Sequence, residues 1–110
     1  DDLFLFYTDD LINGSWKSHP CNPIVSDIRK ARSAGKIFSQ DNNIIRPSQD
    51  NSSGYGGSIV LNKIFFDEEN YNEILLEKIQ PDWSSKITGL HTIQFNSGLT
   101  IIDAKMKRLR

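Results

Sequence analysis

The chain has 110 residues, room for one small domain and no more. Its 13 basic and 14 acidic side chains nearly cancel, so nothing marks it for a nucleic acid or an anionic membrane surface. At 37% hydrophobic residues its core must be thin, and its single cysteine, Cys21, excludes an internal disulfide without fixing a compartment, so localisation stays open.

The opening Asp1-Asp2-Leu3-Phe4-Leu5-Phe6-Tyr7 reads as strand rather than signal peptide, the expectation for a fragment. Leu3–Tyr7 is short, apolar and aromatic, which predicts a strand buried on both faces. Asn13-Gly14 predicts a type I′ hairpin turn, in which both central residues take positive φ. Trp16 and Lys17 then open a returning strand that ends at His19-Pro20. In His19-Pro20-Cys21-Asn22-Pro23, two prolines remove donors and restrict the residues before them, which predicts a crossing loop.

Ile37-Phe38 and Ile44-Ile45 flank Asp41-Asn42-Asn43, whose side chains favour a turn, so a central hairpin is expected. Ser58–Phe66 is β-branched and aromatic, the clearest strand in the chain, and Asp67–Asn70 is a turn. Tyr71–Ile79 is ambiguous, because Leu75, Leu76 and Ile79 have helical spacing, but its position between strand signals favours a strand. Pro81–Ser85 is a loop anchored by Trp83. His91–Phe95 and Leu99–Ile102 form a last hairpin around Asn96-Ser97-Gly98, and Lys105–Arg110 is a solvated basic tail. No apolar run approaches the length of a membrane-spanning helix.

About eight short strands at close intervals indicate an all-β sandwich, barrel or propeller. The strands around Ile37, Ile44, Ser58–Phe66 and Tyr71–Ile79 make one antiparallel quartet, and Leu3–Tyr7 with Trp16–Ser18 belongs to an incomplete one. Four antiparallel strands build a propeller blade, but no strict repeat selects among the three architectures.

The run from Gly14-Ser15-Trp16 through His19-Pro20 to Asn22-Pro23-Ile24-Val25 resembles blade junctions in five-bladed propellers of the arabinanase and levansucrase type. Further along come Ser26-Asp27, Ala31-Arg32, Ala34-Gly35, Arg46-Pro47-Ser48-Gln49-Asp50 and Tyr55-Gly56, then Gly89-Leu90-His91-Thr92 and Leu99-Thr100-Ile101-Ile102-Asp103. In that order they are similar to the N-terminal propeller domain of plant glucosamine inositolphosphorylceramide transferases and related bacterial proteins. Ser33, Asn51 and Leu90 stand where that pattern has proline, cysteine and threonine.

The resemblance implies a partial domain, roughly two four-stranded antiparallel blades from the C-terminal portion of a five-bladed β-propeller. Residues 1–25 would end one blade, 26–80 would form a full blade, and 81–110 would supply closing strands. It further implies a carbohydrate-directed module of a glycosyltransferase- or glycosidase-associated protein, gripping a sugar or glycoconjugate at the channel mouth. The remaining blades of a parent chain would be its structural partners. The alternative is a non-catalytic propeller scaffold for protein interaction.

Arg32, Arg46, Gln49 and Asp50, with Tyr55 and His91, are the candidate substrate-binding residues. An arginine fork suits planar anions and vicinal oxygens, and a tyrosine can stack on a sugar ring. Four of them have a plainer reading: Arg46 and Asp50 can pair with one another, Tyr55 can pack beside its glycines, and His91 can bond a nearby carbonyl. Asp50 is the one catalytic candidate, with Asp27 as its possible companion. Glycosidic cleavage needs two carboxylates about 5–5.5 Å or about 6.5–9.5 Å apart. In the hydrolases it resembles, the nucleophile or base comes from the first blade, so these residues alone are not expected to be active. Whether the parent is an enzyme stays open. Trp16 and Trp83 are expected as wedges between blades. Two distant histidines and one cysteine make no zinc ligand set. Gly54-Tyr55-Gly56-Gly57 leads into a strand, not the helix a phosphate loop requires. No metal or cofactor is implied.

Overall fold

The computed structural model describes residues 2–54, 56–96 and 98–107. Their regular structure is all β, in three antiparallel sheets. β1 (Phe6–Tyr7) pairs with β2 (Lys17–Ser18). The central sheet holds β3 (Arg32–Ser33), β4 (Phe38–Gln40), β5 (Asn43–Asp50), β6 (Ser58–Phe66) and β7 (Tyr71–Ile79). β8 (Ile87–Asn96) and β9 (Leu99–Met106) form a final hairpin.

β3 and β4 both pair with β5, Arg32 opposite Gln49 and Phe38 opposite Ile45, so they occupy one ribbon position broken at residues 34–37. That break explains how Pro47 sits inside a central strand. Its carbonyl accepts from Ala34 at 3.0 Å, and its missing N–H faces the interrupted stretch, where no ladder partner is left wanting. Segment 71–79 is a strand despite its helical spacing, because it pairs with β6 from Phe66↔Tyr71 to Ile59↔Ile79, with a bulge at Leu61/Asn62.

The type I′ turn lies at Asp41-Asn42, with φ of 51° and 63°. It joins Gln40 directly to Asn43. Asn13 and Gly14 do not adopt positive φ, contrary to expectation. The β1–β2 connection is the longer loop 8–16, wound around Asp10. The Asp10 carboxylate accepts from the N–H groups of Ile12 and Asn13 at 2.9 and 3.1 Å, and its carbonyl accepts from Gly14.

Leu3–Tyr7 is not buried on both faces. Phe4 and Phe6 are each about half exposed, and Leu3 joins Val25 through an isolated bridge. Trp16 and Trp83 are also more than half exposed, since no described residue covers them. Lys105 and Met106 belong to β9 rather than to a loose tail, paired with Gly89 and Ile87. The expected tail residues 108–110, and Ser97 of the last turn, lie outside the described residues.

The core lies between the central sheet and β8, where Ala34, Ile59, Leu90 and Ile93 are buried together. Phe38 of β4 stacks on Phe95 of β8 at 4.1 Å between ring centres. On the opposite side the crossing loop is tied to the β6–β7 turn. Buried His19 accepts from Cys21 N–H through Nδ1 at 3.1 Å, which leaves Nε2 to donate to the Asp67 carbonyl at 2.8 Å.

Ala34 locks the strand break to β8, its carbonyl accepting from Ile93 N–H at 2.8 Å. The next residue, Gly35, has φ +140°, and a Cβ there would sit 2.2 Å from the Ile93 carbonyl oxygen. Gly35→Ala should therefore lower stability by about 2 kcal/mol or more in urea unfolding. Gly98→Ala tests the contrast: it also has positive φ, but nothing lies within 4 Å of its Cβ position, so it should cost less.

Candidate functional site

Side chains alternate along a strand, so Arg46, Ser48 and Asp50 share one face of β5 while Ile45, Pro47 and Gln49 share the other. Arg32 lies in register with Gln49 and so belongs with it. The four polar residues expected to converge are divided in two by the sheet.

On the first face Arg46 is buried, 3% exposed. Its Nε donates to Glu73 Oε2 at 2.6 Å, while Nη2 donates to Glu73 Oε1 at 3.0 Å and to the Lys30 carbonyl at 2.7 Å. This is a two-point fork, which a guanidinium forms best with a carboxylate. Tyr71 donates its hydroxyl to Glu73 as well, and Lys30 Nζ stands 4.0 Å from the same carboxylate. Burial, then the neighbouring Glu73, pushes the Tyr71 hydroxyl well above the usual phenol range. The Arg46 carbonyl and Ser48 hydroxyl both accept from buried Asn62. Arg46 therefore joins β5, β7 and the 27–31 turn, and its carboxylate partner is Glu73 rather than Asp50.

Asp50 ends β5. Its carboxylate accepts from the N–H and hydroxyl of Ser52 and lies 3.2 Å from Lys78 Nζ. Burial opposes its ionisation, but these donors outweigh it and hold the carboxyl below its usual range. A carboxylate so engaged is a poor proton donor and suits orienting work. Asp27 lies across a hollow of about 340 Å³ lined also by Lys30, Asp50 and Lys78. The Arg29 side chain, then its N–H, holds the Asp27 carboxyl down at about 2.

On the second face Gln49 is 1% exposed and donates through Nε2 to the His91 carbonyl of β8 at 2.8 Å. Loop 51–57 docks on the same strand, with Gly56 O accepting from Leu90 N–H and Asn51 Oδ1 accepting from Gly56 N–H. Tyr55, carried by that loop, lies outside the described residues. The His91 ring is half exposed, with Nδ1 at 3.1 Å from Asp103 Oδ2. Asp103 Oδ1 accepts from the N–H and hydroxyl of Thr92 at 2.6 and 2.7 Å. Thr92's hydroxyl is the largest influence holding that carboxyl below its usual range. Slight burial opposes it, and Thr92 N–H and His91 add to it.

Gln49, in register with Arg32, thus ties β5 to the His91 backbone of β8, while Arg46 is sealed on the other face and Asp50 ends the strand on that same face. Sequence reasoning missed Glu73, Lys78 and Asp103. Only Asp103 had a local signal, a lone acid closing the apolar run Leu99–Ile102. Among the described residues no group of three His, Cys, Asp or Glu side chains is placed to hold a metal, and no helix is long and apolar enough to cross a membrane.

A family profile described as "Glucosamine inositolphosphorylceramide transferase 1, N-terminal" matches residues 1–88. Glucosamine inositolphosphorylceramide transferase 1 of Oryza sativa subsp. japonica is 33% identical over 76 residues, a match that covers 66% of this chain and 10% of the rice protein. No solved structure matches the chain.

Removing one member of a buried ion pair strands the other, so Glu73→Ala should destabilise by about 3–5 kcal/mol in urea unfolding. The double change Arg46→Met/Glu73→Leu should cost far less. Arg46→Ala alone should likewise compromise the fold.

Acid should act in a defined direction. A carboxyl whose native value lies below its ordinary 3.8 contributes stability that is complete above that value. For Asp27 this contribution is lost as pH falls from about 4 through about 2. Asp27→Asn should flatten that part of the stability–pH curve.

Proposed function

The chain belongs to the glucosamine inositolphosphorylceramide transferase 1 N-terminal family, and from that premise we propose that it is a sugar-directed segment of a β-propeller within a longer glycosyltransferase-related protein. Three antiparallel sheets follow one another in chain order, as blades do. The central one offers four ribbon positions once β3 and β4 are counted as one. On this reading residues 26–80 are a full blade, 1–25 end the blade before it, and 81–110 supply closing strands of a five-bladed ring.

The observation that carries the binding assignment is the seam between β5 and β8, where Gln49, the cross-strand neighbour of Arg32, donates to the His91 carbonyl and loop 51–57 meets Leu90. A guanidinium and an imidazole at one edge suit the vicinal oxygens of a sugar or glycoconjugate. The Gln49 amide, buried and bonded to β8, fixes the edge rather than touching ligand. Asp50, at the adjoining strand end, orients; Tyr55 supplies a stacking ring. The chemistry of the parent, if it is a transferase or hydrolase, would require groups from elsewhere in the polypeptide.

A second reading, a protein-interaction scaffold, is favoured by one feature. Ile74, Leu75 and Leu76 of β7 and Leu99 and Ile101 of β9 are largely exposed, and exposed apolar side chains are what a docking face requires. In the propeller reading neighbouring blades cover them.

Titration against a panel of glycans and glycolipid headgroups separates the two. The sugar-directed reading expects saturable binding that Arg32→Ala weakens about tenfold, a loss typical of one charge-assisted hydrogen bond, with the unfolding midpoint unchanged. Absence of binding to every glycan, or identical affinity in Arg32→Ala, would reject it.

A further inference from the structure

Resting on that sugar-directed reading, we infer that the β8–β9 hairpin carries a monosaccharide subsite of its own, in which Asp103 and Lys105 bracket two adjacent hydroxyls of one sugar ring. The Asp103 side chain is 56% exposed, yet both of its oxygens are engaged. Three donors converge on it: Thr92 N–H, Thr92 hydroxyl and His91 Nδ1. Such pinning preorganises an acceptor that still faces solvent, which cuts the ordering cost of binding.

Lys105 lies two residues on, on the same face of β9. Its cross-strand partner is Gly89, which presents no side chain. The result is a hollow of about 270 Å³, lined by Gly56, Gly89, His91, Asp103 and Lys105. It has room for one sugar ring and is smaller than the pockets that hold drug-sized ligands. A carboxylate and an ammonium side by side match a vicinal diol, since one hydroxyl donates to Asp103 and its neighbour accepts from Lys105.

His91 and Thr92 act through Asp103 as positioning residues. Facing a carboxylate, His91 Nδ1 carries the ring proton. Asp103→Asn turns this around. Thr92's two donors keep the amide oxygen, the NH2 faces His91, and Nδ1 must become the acceptor.

The test is an amide-shift NMR titration of the ¹⁵N-labelled chain with the methyl glycosides of glucose, galactose, mannose and N-acetylglucosamine, together with ring ¹⁵N shifts of His91. At least one glycoside should give saturable shifts at Thr92, Asp103 and Lys105. Asp103→Asn should weaken that glycoside about tenfold and move the ring proton to Nε2. Lys105→Gln should weaken it without moving the proton. Shifts confined to Arg32, Gln49 and their neighbours would overturn the subsite and leave the sugar-directed reading standing, whereas no saturable shift with these glycosides or with any glycan would remove both. A wild-type ring carrying its proton on Nε2, or full affinity in Asp103→Asn, would also overturn it.

Discussion

Six consecutive residues of β5, Ile45 to Asp50, are buried, and four of them are polar or charged. Buried polar groups are costly unless they are paired, and a buried charge far more so. That constraint organises the molecule. Arg46 requires Glu73, whose side chain reaches across the sheet from β7, and holds the 27–31 turn on the same face. Gln49 requires an acceptor beyond its own sheet and finds it in β8, which brings the last hairpin onto the other face. Ser48 and the Arg46 carbonyl share Asn62. The core among Ala34, Ile59, Leu90 and Ile93 is small, so the polar strand carries part of the task of specifying how the sheets stack. Replacing the charged pair by apolar residues is expected to be tolerated energetically, as is common for buried ion pairs, while its loss would remove a contact that selects one arrangement.

A division of labour follows from the two faces. One holds the charged network, where the 27–31 turn and the Glu73 side chain of β7 meet Arg46. The other opens to β8 and β9, where Arg32, His91, Asp103 and Lys105 remain within reach of a ligand. In the sugar-directed proposal, scaffold and recognition would be separated by the thickness of a single strand, which Asp50 ends.

Much of the fold could be read from the residues alone. β6 and β7 appear with the bounds expected, because each is nine residues long and Asp67-Glu68-Glu69-Asn70 separates them. Of the two expected hairpin turns, the one at Asp41–Asn43 formed and the one at Asn13-Gly14 did not. Asp41-Asn42 is the type I′ turn, while Asn13-Gly14 is one end of a wider loop, because turn type depends on how tightly the flanking strands pair and β1 and β2 are only two residues long. The sides of the sheet were not legible either. A one-residue change of register flips a strand's side chains, and Arg32 is assigned to its face only by lying opposite Gln49. Likewise Glu73 meets Arg46 across an intervening strand that carries a bulge at Leu61/Asn62, and no local pattern announces that pairing.

The most direct test of this division is the Arg46 side-chain Nε–H signal in a ¹⁵N spectrum at neutral pH. A guanidinium locked to Glu73 in the interior should give a resolved, slowly exchanging resonance that a saturating glycan leaves in place. A signal lost to rapid solvent exchange, or one that moves as glycan is added, would mean that Arg46 belongs to the binding surface and that β5 does not separate the two roles.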